Sequence, residues 1–345
     1  MKKSIFLVFL GILGMFLSEF LIWNIPSFTV IYFTKGPLNA FLLVFLGALM
    51  YVILFSIGAD IIYRFKIRDI TSLILLGSVY GLMVEGIFSD LLFREGIGPV
   101  ILGLSFSRIA FTALSWHAVI DFCLGFIIFS RILKGVSLLE SKKLELKEIL
   151  ILIFFSLFWF SWSYSGGVIA NFSQGIPLEI QLYVLLFPMI LIGIVMAIAL
   201  NIKDYVPERI LGKLGYAIYI GYIVIYSILR IIALPIKILF LSFLVLMSFY
   251  IVLFYAHLKY GRKETEKSIL EESFPVRGSF NIVKYVLVCF IIVVIYILFR
   301  VSANFFHLAT VYYFFTIGCF ISSMIFVIIF PIYVILNIIM KQVKD

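Results

Sequence analysis

Residues 236–257 read IKILFLSFLVLMSFYIVLFYAH, and between Lys237 and His257 this stretch holds 19 consecutive residues without a charged side chain. A helix needs about 20 apolar residues to cross the hydrocarbon core of a bilayer. Stretches of similar length and composition recur along the whole chain. Their recurrence predicts an all-α integral membrane protein.

The overall composition supports the same fold class. Hydrophobic residues make up 64% of the chain and charged residues only 13%, whereas soluble domains average about 25% charged. A soluble domain of this length has too much surface to leave so few charges facing water. The net charge of +9 is spread in short runs between apolar stretches, unlike the basic face of a nucleic-acid-binding domain. Nucleic acid is therefore excluded as a partner.

The length criterion predicts about ten transmembrane helices. They are expected at residues 4–23, 38–59, 70–93, 105–130, 148–165, 179–201, 211–229, 236–257, 283–300 and 308–337. The apolar run that ends at Trp23 lacks a small-residue cleavage site, so it is interpreted as the first span rather than a signal peptide. Pro331 is expected to kink the last span or mark its exit.

Positive charges in short loops mark the cytoplasmic side of a membrane protein. With both termini in the cytoplasm, the ten-span topology places most basic residues on that side: Lys2, Lys3, Arg64, Lys66, Arg68, Arg131, Lys134, Lys142, Lys143, Lys147, Lys203, Arg209, Lys213, Lys259, Arg262, Lys263, Lys267, Arg277, Lys284, Lys341 and Lys344. The outer side keeps Lys35, Arg94, Arg230, Lys237 and Arg300. This asymmetry predicts a multi-pass protein of the cell membrane in that orientation.

Ten spans divide into two sets of five, at residues 1–172 and 173–345, within one membrane domain. An odd number per half makes the second half start on the opposite side of the membrane, as in transporters built from inverted-topology repeats. The short loops leave no room for a soluble catalytic domain. A re-entrant or interfacial segment is expected at 96–107, because the apolar run there is too long for one straight crossing.

Ionisable side chains within spans are costly and are therefore candidates for function. Glu85 lies in the third predicted span, and His117 and Asp121 lie in the fourth. Counting about 1.5 Å per residue along antiparallel helices puts Glu85 and His117 at similar depth. His117 and Asp121 are four residues apart and share a helix face, as do Glu85 and Ser89. We therefore predict that Glu85 lies within hydrogen-bonding reach of His117 or Asp121, directly or through water.

Two further charged residues are weaker candidates. Glu19 is expected near the outer end of the first span, as an interfacial residue. Arg108 is nine residues before His117, about half a turn away on a continuous α-helix. It is expected to point away from the site, toward the outer interface or a carboxylate of another helix.

A structural explanation of the polar residues remains open, since hydrogen bonds between spans also hold helices together. No metal site is predicted, because the usual zinc signatures are absent. The other histidines, His257 and His307, fall near opposite membrane faces, which argues against a bis-histidine haem. The sequence identifies no cofactor.

A Glu-Gly segment and a Trp-His-Ala-Val segment lie close together in residues 80–131. They are Tyr80-Gly81-Leu82-Met83-Val84-Glu85-Gly86 and Trp116-His117-Ala118-Val119, separated by a Gly-rich turn at 96–98. In this pairing the chain resembles a group of archaeal multispanning membrane proteins of unknown function. The resemblance covers about 50 of the 345 residues. It implies that Glu85 and His117 belong together, and it implies no activity.

A second, weaker likeness is to glutamate-type intramembrane prenyl-protein proteases. His117-x-x-x-Asp121 resembles their His-x-x-x-Asn/Asp motif. Val84-Glu85 supplies only one glutamate of their Glu-Glu pair, and their Phe-x-x-x-His motif is absent.

Three functions are compatible with these features. The leading hypothesis is a permease-like protein whose Glu85, His117 and Asp121 bind a proton, a cation or a small polar solute. The first alternative is an intramembrane hydrolase or transferase acting on a lipid or lipid-linked substrate. The second is a structural subunit of a membrane complex. The expected partners are the lipid bilayer and a small polar solute, ion or lipid.

Overall fold

A computed structural model describes residues 2–23, 35–94, 98–135, 146, 149–150, 153, 156–157, 178–207, 209–234, 238–263, 265–305 and 309–344. Helices dominate this part of the chain. They are α1 (Lys2–Met15, extended by the π-helical segment Phe16–Trp23), α2 (Pro37–Arg64), α3 (Ile70–Phe88), α4 (Arg108–Lys134), α5 (Leu178–Leu200), α6 (Lys213–Ala233), α7 (Ile238–Gly261), α8 (Ile282–Phe305) and α9 (Ala309–Lys344).

Seven helical segments in the described residues are long and apolar enough to cross a membrane. They are Val44–Arg64, Ile70–Phe88, Arg108–Lys134, Lys213–Ala233, Ile238–Gly261, Ile282–Phe299 and Thr310–Val343. Each overlaps one of the predicted spans, and together they fit a polytopic α-helical membrane protein. Pro331 lies inside α9, which continues to Lys344, so it does not end that helix.

The three other predicted spans have different outcomes. The span at 4–23 coincides with α1 and its π-helical extension. The span at 179–201 coincides with α5, Leu178–Leu200. Most of 148–165 lies outside the described residues, as does the predicted boundary at residue 172. The count of ten and the division into two halves therefore stay predictions.

The chain folds into two compact units. Unit 1 comprises Met1–Val52, Ile128–Val206 and Ser273–Cys319, and unit 2 comprises Ile53–Ile127, Pro207–Glu272 and Phe320–Asp345. Unit 2 contains all of α3, α6 and α7 and most of α4, and it therefore holds the residues of the predicted site.

In unit 1, α1 packs against α5. A Cβ on Gly11 would meet the backbone of Val52 at 2.5 Å, so this glycine allows α1 and α2 to approach closely. Phe6 contacts the rings of Tyr205 and Phe274 at centroid distances of 5.6 and 5.0 Å. Apolar and aromatic packing therefore holds this unit together.

Helix α3 begins at a well-defined cap. Asp69 accepts a hydrogen bond from the backbone N–H of Ser72 at 2.7 Å, and its other oxygen accepts one from the Ser72 hydroxyl. Burial acts to raise the pKa of Asp69, but the hydrogen bonds from His257 and Ser72 outweigh it and lower this pKa to about 2. The ionised carboxylate also complements the positive end of the helix dipole.

Two glycines bring α3 and α4 into close contact. A Cβ on Gly77 would lie 2.5 Å from the carbonyl oxygen of Ala118, and a Cβ on Gly81 would lie 2.0 Å from that of Ala113. No side chain fits at these positions while the backbones stay in place. Small residues are the usual means of close helix approach in membranes, where van der Waals packing drives association.

Residues 98–107 form a β-hairpin followed by the start of α4. Strand β1 (Val100–Ile101) pairs antiparallel with strand β2 (Leu104–Ser105), and the turn residues Leu102 and Gly103 both have positive φ. Such a turn matches the twist of a two-stranded hairpin. Val100, Ile101 and Leu102 are exposed at its tip. The described part of the segment expected to be re-entrant or interfacial therefore contains a short hairpin with an apolar tip.

Candidate functional site

Glu85, His117 and Asp121 are joined by hydrogen bonds in unit 2. Glu85 Oε1 lies 2.7 Å from His117 Nε2, and Asp121 Oδ2 lies 3.0 Å from His117 Nδ1. The exposed fractions of the three residues are 4%, 4% and 0%. The predicted contact between Glu85 and His117 is therefore present. We call these three residues the buried polar group.

One hydroxyl extends the buried polar group at each end. The Tyr80 hydroxyl donates to Asp121 Oδ2 at 2.7 Å, and the Ser89 hydroxyl donates to Glu85 Oε2 at 2.6 Å. Tyr80 is buried, whereas Ser89 is exposed. A continuous series of hydrogen bonds thus runs from an exposed serine to a buried tyrosine.

Apolar and aromatic residues surround the buried end of this series. The Tyr80 ring lies 4.9 Å from that of Phe122 and 5.3 Å from that of Phe55, measured between centroids. Phe122 contacts Phe126 at 4.8 Å. In such low-dielectric surroundings an unpaired charge is expensive, so each polar group needs a partner.

The series also reaches the middle of the membrane-spanning part of the protein. Ser89 follows directly after the last residue of Ile70–Phe88, and Asp121 is the central residue of Arg108–Lys134. Glu85 and His117 lie between these two positions along the series. The hydrogen bonds therefore connect one end of the apolar helix α3 with mid-helix α4.

The arrangement determines where a proton can be added. A neutral imidazole donates from one nitrogen only, whereas the imidazolium donates from both. Asp121 Oδ2 is already in contact with two donor groups, His117 Nδ1 and the Tyr80 hydroxyl. Glu85 Oε2 accepts a hydrogen bond from the Ser89 hydroxyl, and this hydroxyl can donate or accept. A proton on Glu85 Oε2 would keep the contact with Ser89, with the direction of the hydrogen bond reversed.

Geometry does not favour a shared metal ion in the buried polar group. Glu85 and Asp121 contact different nitrogens of the imidazole, on different edges of the ring. Their oxygens therefore do not converge with a ring nitrogen on one point. Among the described residues, no group of three or more His, Cys, Asp and Glu side chains is arranged to hold a metal.

Arg108 interacts electrostatically with charged residues at and near the site. It is within electrostatic range of Glu85, Asp90 and Arg94. The expected contact with a carboxylate of another helix stays a prediction. The expected direction away from His117 assumed an α-helix, but Arg108–Cys123 is π-helical. A turn of a π-helix contains more than four residues, so nine residues come close to two full turns.

Glu19 lies beside a polar pair in unit 1. The Tyr51 hydroxyl donates to Glu19 Oε1 at 2.5 Å and lies 2.5 Å from the Ser18 hydroxyl. Tyr51 is fully buried and falls well inside the apolar segment Val44–Arg64. Glu19 therefore contacts a residue inside α2, and its expected interfacial position stays a prediction.

Two features of the site were not recognised in the sequence. Tyr80 belongs to the Glu-Gly segment, but its hydroxyl contact lies 41 residues away in sequence and no local pattern indicates it. Arg230 of α6 donates to the carbonyl oxygens of Ile87 and Phe88, at 3.1 and 2.8 Å, and to Asp90. The only sequence signal for Arg230 was a basic residue on the side of the membrane where basic residues are scarce.

Comparison of the chain with models of known protein families, with characterised proteins and with solved structures yields no match. The function therefore has to be argued from the site itself.

Proposed function

We propose that this protein is a permease-like membrane protein in which the buried polar group binds a proton that enters from the Ser89 end. The observation that carries the proposal is the continuous hydrogen-bonded series from exposed Ser89 through Glu85 and His117 to Asp121. Ionisable groups at membrane depth line ion and proton pathways in many membrane proteins. A proton is the cation that suits this site, because the groups of a linear hydrogen-bonded series can share a proton.

The proton-binding step uses Glu85 and His117 together. With both carboxylates ionised, an imidazolium donates to each of them, and the group carries one net negative charge. A proton that arrives through Ser89 binds Glu85 Oε2 and makes the group neutral. Neutralisation removes most of the cost of holding the group in a low-dielectric environment. The pair of helices that holds the buried polar group has a higher free energy when the group is charged than when it is neutral. Protonation can therefore change the conformation of the pair.

The test is proton uptake by the full-length protein reconstituted in liposomes that contain a pH-sensitive dye. Glu85→Gln keeps the side-chain volume and a hydrogen bond but cannot bind the proton. We expect it to abolish uptake while the yield of folded protein stays nearly unchanged. His117→Gln is expected to abolish uptake as well.

His257→Gln is the matched control, because His257 is also a buried histidine with a carboxylate partner, Asp69 at 3.4 Å. It is expected to retain uptake. If Glu85→Gln instead collapses the folded yield, the buried polar group serves only to hold the helices together. If Glu85→Gln folds and takes up protons like the wild type, the proposal is wrong.

We further propose the ten-span topology in the cell membrane, with both termini cytoplasmic and two inverted five-helix halves. The support is the charge asymmetry between loops. Cysteine-accessibility labelling of single-cysteine variants tests it directly. Residues 134–147 and 259–282 are expected to label from the cytoplasm, and residues 166–178 from outside. Opposite labelling of any one segment would rule out the ten-span arrangement.

A further inference from the structure

Four apolar helices have an end at one face of unit 2. The loop that joins α2 to α3 contains Phe65 and Lys66, whose carbonyl oxygens accept hydrogen bonds from Arg262 at 2.5 and 3.2 Å. Arg262 directly follows the end of α7. Lys341, near the end of α9, donates to the carbonyl oxygen of Arg262. A helix that crosses a bilayer ends at the level of the lipid headgroups, so this face is expected at that level.

The segment after α7 is held against the loop between α2 and α3. The Thr265 hydroxyl donates to the carbonyl oxygen of Lys66 at 2.5 Å. The backbone N–H of Ile269 donates to the carbonyl oxygen of Ile67 at 2.9 Å. Glu271 forms an ion pair with the Lys66 ammonium. The backbone that carries the exposed side chains of this segment is therefore fixed in place.

Basic side chains at this face outnumber their carboxylate partners. Three of them form ion pairs, which are Arg64 with Asp60, Lys66 with Glu271 and Arg68 with Glu272. No carboxylate of the described residues pairs with five others, which we call the basic surface: Lys259, Arg262, Lys263, Lys267 and Lys341. In sequence, Glu264 and Glu266 are the only acidic residues between Lys259 and Lys267, so an excess of positive charge remains.

Large apolar side chains are exposed beside the basic surface. They are Phe65, Ile70 and Tyr260. The Lys259 ammonium lies 4.9 Å from the centroid of the Tyr260 ring. Aromatic rings are enriched where membrane helices meet the headgroups, and the aliphatic part of a lysine packs on apolar surface while its ammonium stays among polar groups. This combination of side chains matches a layer that is apolar on one side and charged on the other.

We propose that the basic surface binds the headgroup of an anionic phospholipid in the leaflet that this face meets. A phosphate group accepts charge-assisted hydrogen bonds from ammonium and guanidinium donors. Basic residues that directly follow a membrane-spanning helix are attracted to anionic lipids. Lys263 and Lys267 are exposed and have no hydrogen-bond partner among the described residues, so they contact the headgroup directly. In the proposed topology this leaflet is the cytoplasmic one.

Lipid binding is measured on the full-length protein in nanodiscs of phosphatidylcholine, which has no net charge, with phosphatidylglycerol added in increasing proportion. A ligand that binds only the folded protein raises its unfolding temperature. At constant ionic strength, phosphatidylglycerol is expected to stabilise the wild type saturably. A parallel arm adds glycerophosphoglycerol, the same headgroup without acyl chains, to phosphatidylcholine nanodiscs. It is expected to give no comparable stabilisation, because it is not held at the membrane surface.

The double variant Lys263→Gln/Lys267→Gln removes two charges and no hydrogen bond of the described residues, so it is expected to unfold like the wild type in pure phosphatidylcholine. Its affinity for phosphatidylglycerol is expected to be about tenfold weaker or more, since each basic residue near an anionic surface contributes about fivefold. Arg209→Gln/Lys213→Gln is the matched control, because these are also two exposed basic residues four positions apart. The control is expected to keep the wild-type affinity.

Three results would overturn the inference. The first is a wild type that phosphatidylglycerol does not stabilise. The second is an equal loss of affinity in the control, which would indicate a diffuse effect of charge. The third is equal stabilisation by glycerophosphoglycerol, which would make a soluble anion the ligand. The assay measures lipid binding and no proton movement, so none of these results bears on the proposed function.

Discussion

Replacing Gly81 by alanine tests whether the close contact of α3 and α4 holds the buried polar group together. The new methyl group would lie 2.0 Å from the carbonyl oxygen of Ala113 and 3.0 Å from Cβ of His117. Ordinary contact begins at 3.4 Å, so the helices have to separate locally by about 1.4 Å. The obstacle at Ala113 is backbone, which cannot rotate away as a side chain can.

A separation of this size breaks the contact between Glu85 and His117. Their 2.7 Å distance leaves less than 1 Å before the 3.5 Å limit of a hydrogen bond is passed. Overpacking of a tight contact costs about 1 to 3 kcal/mol. A buried polar group that loses its partner costs about 1 to 3 kcal/mol more. We therefore expect Gly81→Ala to lower the free energy of unfolding by about 2 to 6 kcal/mol.

The assay is equilibrium unfolding of the purified full-length protein by SDS in mixed micelles, followed by circular dichroism. Gly221→Ala in α6 is the matched control, because no atom of the described residues outside its own helical turns lies within 4 Å of its added Cβ. Alanine is a better helix former than glycine by about 1 kcal/mol, so the control is expected to be neutral or slightly stabilised. Proton uptake by the refolded Gly81→Ala protein is expected to be reduced.

Equal stability of Gly81→Ala and Gly221→Ala would refute the reasoning. It would show that α3 and α4 tolerate a methyl group between them, and hence that their separation does not limit the contact between Glu85 and His117.

Two further predictions concern Tyr80 in the middle of α3 and Asp69 at its N-terminal cap. Tyr80→Phe keeps the ring but removes the hydrogen bond to Asp121. It is expected to lower the free energy of unfolding by about 1 kcal/mol in the same assay. An unchanged free energy of unfolding would mean that the hydroxyl does not contribute to stability. Asp69 has a folded-state pKa of about 2, below its ordinary 3.8, so its ionised form stabilises the fold above pH 3.8 and this contribution disappears as the pH falls to about 2. Asp69→Asn loses this charged cap, so its free energy of unfolding is expected to be lower than that of the wild type near pH 5 and to approach it near pH 2. If the free energies of the two proteins instead differ by the same amount across this range, the ionised Asp69 does not stabilise the fold.

The transmembrane helices were predictable from the sequence because hydropathy depends on local composition. Counting apolar positions placed the ends of Ile238–Gly261 within about four residues and those of Val44–Arg64 within about six. The contact between Glu85 and His117 was also predictable, since adjacent antiparallel helices bring residues of equal depth together. These predictions need only the length of a span and the order of the helices.

The surroundings of the site were not predictable in the same way. Arg108–Cys123 is π-helical, and no residue pattern indicated the change of helical period that places Arg108 near Glu85. The bonds from Arg230 join residues more than 140 positions apart. Such contacts depend on which helices pack together, and composition carries no information about that.

The two buried histidines show why the candidate site is more than a polar residue inside a membrane helix. Both His117 and His257 are almost fully buried and both contact an aspartate. His257 Nδ1 has no hydrogen-bond partner among the described residues, and its aspartate caps the start of α3.

His117 has a carboxylate at each nitrogen. Only that arrangement can pass a proton across the ring, because one nitrogen accepts a proton as the other releases one. The hypothesis of proton coupling therefore depends on Glu85. Without its carboxylate, His117 would contact a single carboxylate, as His257 does.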